Sequence, residues 1–181
     1  FLCATNQLES DEFESLSARL SLLPFDSRAL KAYNTMAEVF ATGKCPNIDL
    51  ARLERTFMKM LDLPISGNPN SLQYSHVNWL IGYTRVHLGE AEAALDAFQN
   101  SLGARRGPSH AMAMAALMAS SGFNREALVL ADEALVSLRI EIAENAKLAR
   151  KVRESDILEF IETVKADLGA EQGAGIHDPV E

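Results

Sequence analysis

Gly89-Glu90-Ala91-Glu92-Ala93-Ala94-Leu95-Asp96-Ala97-Phe98 returns in altered form as Gly122-Phe123-Asn124-Arg125-Glu126-Ala127-Leu128-Val129-Leu130-Ala131. In each copy an alanine, Ala94 or Ala127, follows the glycine by five residues, and Phe98 or Ala131 follows four later. An apolar helical segment precedes both copies. The two glycines lie 33 residues apart. A repeat at that spacing marks a chain of stacked helix–turn–helix units, because one amphipathic hairpin cannot bury its apolar face alone.

Upstream of Gly89, Asn68-Pro69-Asn70-Ser71 opens a segment expected to be helical from Leu72 to Leu88. Val77, Leu80, Ile81, Thr84 and Leu88 make one face of it; His76, Trp79, Tyr83, Val86 and His87 make another. A helix apolar on two sides is either buried on both or buried on one and open for binding on the other. Ala91 to Leu102 is its expected partner, and Gly103 to Pro108 turns the chain. The run from His110 to Ser120 is small and flexible and lets neighbours approach closely. Gly122 stops it, and a helix from Arg125 to about Leu138 follows. A charged, less regular but helix-favouring stretch runs on to Arg153.

The flanks read the same way. Asp11 and Glu14 form a capping box before the stripe Phe13, Leu16, Leu20 and Leu23, which Pro24 ends. A helix is expected from Ser27 to Thr42, stopped by Gly43. Asp49 can cap another, carrying Leu50, Leu53, Phe57, Met60 and Leu61 and closed by Pro64 and Gly67. Asp156, with Glu159 three residues on, opens a last helix striped by Ile157, Phe160, Ile161, Val164 and Leu168. The Gly-rich acidic tail over 169–181 is expected to stay unordered. No run alternates in the manner of a strand.

At 181 residues the chain suits one domain with a real core. Its net charge of −8 argues against non-specific binding to nucleic acid or to anionic lipid, both of which need basic surface. Cys3 and Cys45 have no metal-ligand spacing, and whether they pair is left open by the sequence. The chain begins with Phe1, so it reads as a piece or processed form, with any upstream anchor outside it. No segment is long and apolar enough to span a bilayer. Cytoplasmic and periplasmic locations both stay open.

The paired motifs resemble the tetratricopeptide repeat family, whose period lies within one residue of this spacing. The resemblance implies an all-α, right-handed superhelix of antiparallel helix pairs, with a flanking N-terminal helix and a capping C-terminal one. It implies a single domain over 1–168, with units at about 27–64, 72–107 and 109–138 and the cap at about 156–168. Gly82, Ala94, Ala115 and Ala127 would be the small residues where paired helices cross; Phe98, Leu102 and Leu135 would fill the space between units. Asn78 and Arg85 depart from the pattern, standing where the family has bulky residues. More weakly, the layout resembles soluble repeat regions attached to bacterial cell-envelope polysaccharide polymerases and ligases.

In that family the first helix of each unit lines a concave face. Carried over, a groove would hold Tyr33, Asn34 and Phe40, then His76, Trp79, Tyr83 and His87, then Met112. Such an aromatic-rich groove suits an extended peptide or a ring stacked on an aromatic face. The competing reading makes Trp79 and Tyr83 core residues. His76 and His87 share a face but lie about 16 Å apart along the axis, too far to share a metal ion.

Arg105-Arg106 reads as a solvated basic spot, and Glu126, Asp132, Glu133, Glu141 and Glu144 as a solvated face. No phosphate loop, nucleophile elbow, HExxH or EF-hand pattern occurs. The expectation is a non-catalytic module without cofactor or metal that binds a protein or peptide. The alternative is an accessory domain of a larger bacterial membrane-bound enzyme that handles a glycan or lipid-linked substrate.

Overall fold

The computed structural model describes residues 50–62, 67–103, 107–144 and 152–174. Six helices run through them, with no strand among the described residues. They are α1 (Leu50–Met60), α2 (Leu72–Leu88), α3 (Ala91–Leu102), α4 (Pro108–Ser120), α5 (Asn124–Glu144) and α6 (Glu154–Ala174). The expected helices over 11–23 and 27–42, the cap at Asp49, the stop at Pro64 and both cysteines lie outside the described residues.

Local chemistry sets the ends of α2 and α4. The Ser71 hydroxyl caps α2, its Oγ accepting from the Tyr74 N–H at 3.0 Å. Gly89 ends the helix at φ +81°, a left-handed conformation that costs glycine little. The Glu90 N–H then reaches back to the Arg85 carbonyl at 3.0 Å. Gly122 repeats the turn at φ +83°, with the Phe123 N–H on the Met118 carbonyl at 2.9 Å. The next helix starts alike in both copies: Ala94 N–H donates to the Glu90 carbonyl at 2.9 Å, and Ala127 N–H to that of Phe123 at 3.0 Å. Each pair of bonds is offset by the sequence period of 33.

The α2–α3 pair is antiparallel. Ser75 Oγ donates to the Ser101 carbonyl at 2.6 Å near one end, and Arg85 Nη1 donates to the Ala93 carbonyl at 3.0 Å near the other. Between them Gly82 lies against the Phe98 ring so closely that an added Cβ would stand 2.6 Å from Cδ1 and Cε1. Two buried serines and a glycine thus let the backbones approach. The α4–α5 pair, joined by the short turn through Gly122, has the most extensive packing among the described helices.

Burial follows the period as well. Ala94 and Ala127, Ala97 and Leu130, Phe98 and Ala131, Ser101 and Ala134, and Leu102 and Leu135 are all buried, each pair one period apart. One core cluster draws Val86 from α2, Phe98 from α3, Met114 and Met118 from α4, Leu130 and Leu138 from α5, and Ile157 and Val164 from α6. The last helix packs on α5, and Ile157, Ile161 and Val164 of its expected stripe are buried. At the other end α1 lies against α2 and buries Leu53, Phe57 and Met60.

Asn78 and Arg85 find a physical role. They stand one period before Ala111 and Met118, both buried. Asn78 is buried and donates from Nδ2 to the Tyr74 carbonyl at 2.9 Å, so its amide is not stranded. Arg85 donates from Nε to Glu54 Oε1 at 2.6 Å and from Nη1 to the Ala93 carbonyl. One guanidinium therefore ties α1, α2 and α3 together.

Four boundaries differ from the sequence reading. The fourth helix is already open at Pro108, whose missing N–H is no loss in a first turn. The fifth continues past Leu138 to Glu144. The sixth begins at Glu154 rather than Asp156, and runs through Gly169 to Ala174. The tail expected to be unordered from 169 is therefore helical over its first six residues, 169–174. Ala170, Glu171 and Gln172 are strong helix formers and carry the helix across the glycine. Asp156, expected to cap, instead sits inside the first turn and pairs with Arg153 at 2.9 Å.

Ala94 and Ala127 are fully buried in the common core. Replacing either by Leu is expected to overpack it and cost about 1–3 kcal/mol. Chemical denaturation of the two variants checks this; two neutral substitutions would mean that the core has room at both positions.

Candidate functional site

The residues singled out on α2 form a continuous row of rings. Spacings of three, four and four residues put His76, Trp79, Tyr83 and His87 on one helix face. The His76 and Trp79 rings stack with centroids 6.0 Å apart and planes 24° apart. Trp79 and Tyr83 follow at 5.5 Å, and Tyr83 and His87 at 4.7 Å. The two histidines are thus linked through aromatic contacts, and no group of three or more His, Cys, Asp or Glu side chains that could hold a metal occurs among the described residues.

Burial alternates along the row before it ends in solvent. His76 and Tyr83 are buried, Trp79 is half-buried and His87 is exposed. Trp79 rests on the main core cluster, and so does Met112, half-buried on α4. The structure therefore brings Trp79 and Met112 onto one cluster from two different units. His76 and Tyr83 offer little surface to a ligand. Tyr33, Asn34 and Phe40 lie outside the described residues.

The reason for this burial was out of reach of helix periodicity. Buried residues occur on every side of α2: Val77 and Ile81, Ser75 and Gly82, His76 and Leu80. A helix covered on most sides shows only low amphipathicity in its sequence. Arg85 stood out in the sequence only as a departure from the repeat pattern, with no role attached to it. An arginine amid Val, Gly and Tyr is the trace it leaves.

Burial also sets the chemistry of Tyr83. It raises the phenol above the ordinary tyrosine value of 10.0, because desolvation disfavours the phenolate. The raised folded-state value means that the fold favours the neutral phenol. That stabilisation is fully present below the unfolded value and is lost as pH rises through the folded one. Stability should therefore fall on the alkaline side of pH 10.0, and less so in Tyr83→Phe. Urea midpoints measured across that range test it; parallel curves for the two proteins would contradict it.

Together the fold and the site define an all-α protein of packed helix pairs, with an aromatic row along its central described helix. Comparisons with protein-family models, curated proteins and solved structures found no match for the chain.

Proposed function

We propose that the chain is a non-catalytic binding module of tetratricopeptide type, and that the face carrying Trp79 takes up a protein or peptide segment. In this reading the two units belong to a right-handed superhelix, and its inner face presents Trp79, His87 and Met112. The observation that carries the proposal is the ring row, in which half-buried Trp79 stands between two buried rings. Its buried members, His76 and Tyr83, hold the indole of Trp79 in place, and its outer members meet solvent. A half-buried, pre-positioned indole is an effective binding group, since little conformational entropy remains to be lost on contact. The period of 33 in turn hydrogen bonds and burial supports the repeat assignment.

The experiment is affinity capture from the native host with the wild-type chain and Trp79→Ala in parallel. Truncating a well-packed aromatic binding group costs about 2 kcal/mol or more, so affinity for the captured segment should fall by a factor of tens. The variant's thermal transition should persist. A captured segment bound equally by the two proteins would remove Trp79 from the site; a variant that no longer folds would make it a core residue.

A further inference from the structure

A second surface lies on the outer side of α5, away from the aromatic row. Val129, Val136 and Ile140 are 39%, 57% and 53% exposed, large values for three branched apolar side chains on one helix. Their spacings of seven and four residues align them on one face, opposite buried Leu130, Ala134 and Leu138. They border a shallow groove of about 550 Å³ between α3 and α5, floored by Leu102 and Gly103. Gln99 donates to Glu133 at 2.6 Å across it, which ties the two helices together.

The charge on this groove selects its occupant. Among the described residues that line it, the ionisable ones are Asp132 and Glu133. Asp96 is exposed one turn before Gln99 on the same side of α3. Of the nearby cations among the described residues, Arg139 is engaged by Glu154 at 2.7 Å, and Arg125 is exposed one turn before Val129 on the same face; Arg105 and Arg106 lie outside the described residues. Two-fold pairing with a second copy would set Asp132 and Glu133 against their own equivalents, on a chain of net charge −8. An anionic membrane is disfavoured for the same reason.

We propose that this outer groove docks a basic amphipathic helix of a partner protein, its apolar stripe on Val129, Val136 and Ile140 and its lysines or arginines on Asp132 and Glu133. The apolar stripe spans about 16 Å, room for roughly three turns of such a helix. This site is independent of the reading given to Trp79.

The test uses two synthetic amphipathic peptides of about 18 residues, long enough to form a helix. One carries leucines flanked by lysines; the other has glutamates in place of the lysines. Fluorescence anisotropy with the full chain should show the lysine peptide binding at least about tenfold more tightly, with affinity falling as salt rises. Val136→Asp with Ile140→Asp should weaken it by about tenfold or more, with an unchanged melting transition since both positions are exposed. Asp132→Lys with Glu133→Lys should reverse the order of the two peptides, and Trp79→Ala should change neither. The proposal is overturned by equal or absent binding of the two peptides. It is overturned equally by loss of binding in a folded Trp79→Ala protein. A wild-type dimer in sedimentation equilibrium that Val136→Asp with Ile140→Asp makes monomeric would assign the face to a second copy instead.

Discussion

Truncation of the chain before Glu154 is expected to abolish its cooperative thermal transition or lower it steeply, and to reduce its solubility. The deletion removes Ile157, Ile161 and Val164, all buried in or against the common core. Full burial of such side chains is worth about 1.5–3 kcal/mol each, so the three together approach roughly 5–9 kcal/mol. The ordering entropy of α6 disappears with it and offsets part of that figure. What remains is still large beside a total stability of about 5–15 kcal/mol for a domain. The apolar face of α5 left uncovered would also recruit other copies. Calorimetry and dye binding of the truncated chain check the expectation. An unchanged transition would show that α6 contributes nothing to the core.

Phe98→Ala is expected to cost about 3–5 kcal/mol, the largest effect of any single substitution proposed. Phe98 is fully buried, belongs to the common core and fills the notch that Gly82 leaves on α2. Gly82 makes the coupling testable. A methyl there would stand 2.6 Å from two ring carbons, and a ring enclosed on all sides cannot swing away cheaply. Gly82→Ala should therefore destabilise the wild type by about 1–3 kcal/mol, although alanine is favoured over glycine in a helix by roughly 1 kcal/mol. With Phe98 already replaced by Ala, the clash is gone and the propensity term is left. Gly82→Ala should then be stabilising. A sign that stays the same in both backgrounds would contradict the contact between Gly82 and Phe98.

The helix pairs were legible because their punctuation is local. Ser71, Gly89 and Gly122 act on hydrogen bonds within a few residues of themselves, so α2 and α3 end where the sequence places them. The start of α6 and the far end of α5 were harder. Beyond Leu138, Ile140 and Ile142 face outward, so no buried stripe announces that the helix continues. The tail from Gly169 looked too Gly-rich and acidic to order, yet glycine inside a helix costs only about 1 kcal/mol, and its neighbours outweigh it.

The candidate site was half legible. Periodicity put His76, Trp79, Tyr83 and His87 on one face, and their rings do meet in that order. Which of them is open to solvent depends on what covers α2, and that is a tertiary property. The outer stripe of Val129, Val136 and Ile140 was hidden for the converse reason. Apolar residues interleaved with Asp132 and Glu133 read as a solvated helix face until the buried side of α5 is known. Arg85 showed in the sequence as a departure from the repeat, but its role did not, since its partner Glu54 lies 31 residues away.

Trp79 is the single tryptophan of the chain, so intrinsic fluorescence reports on the proposed binding face alone. Titrating the captured partner segment into the full chain while following that emission is the most direct test of the binding assignment. A saturable spectral shift is expected as the half-buried indole is covered, with a midpoint equal to the Kd obtained calorimetrically. Binding that leaves the Trp79 spectrum unchanged would contradict it and place the segment elsewhere on the molecule.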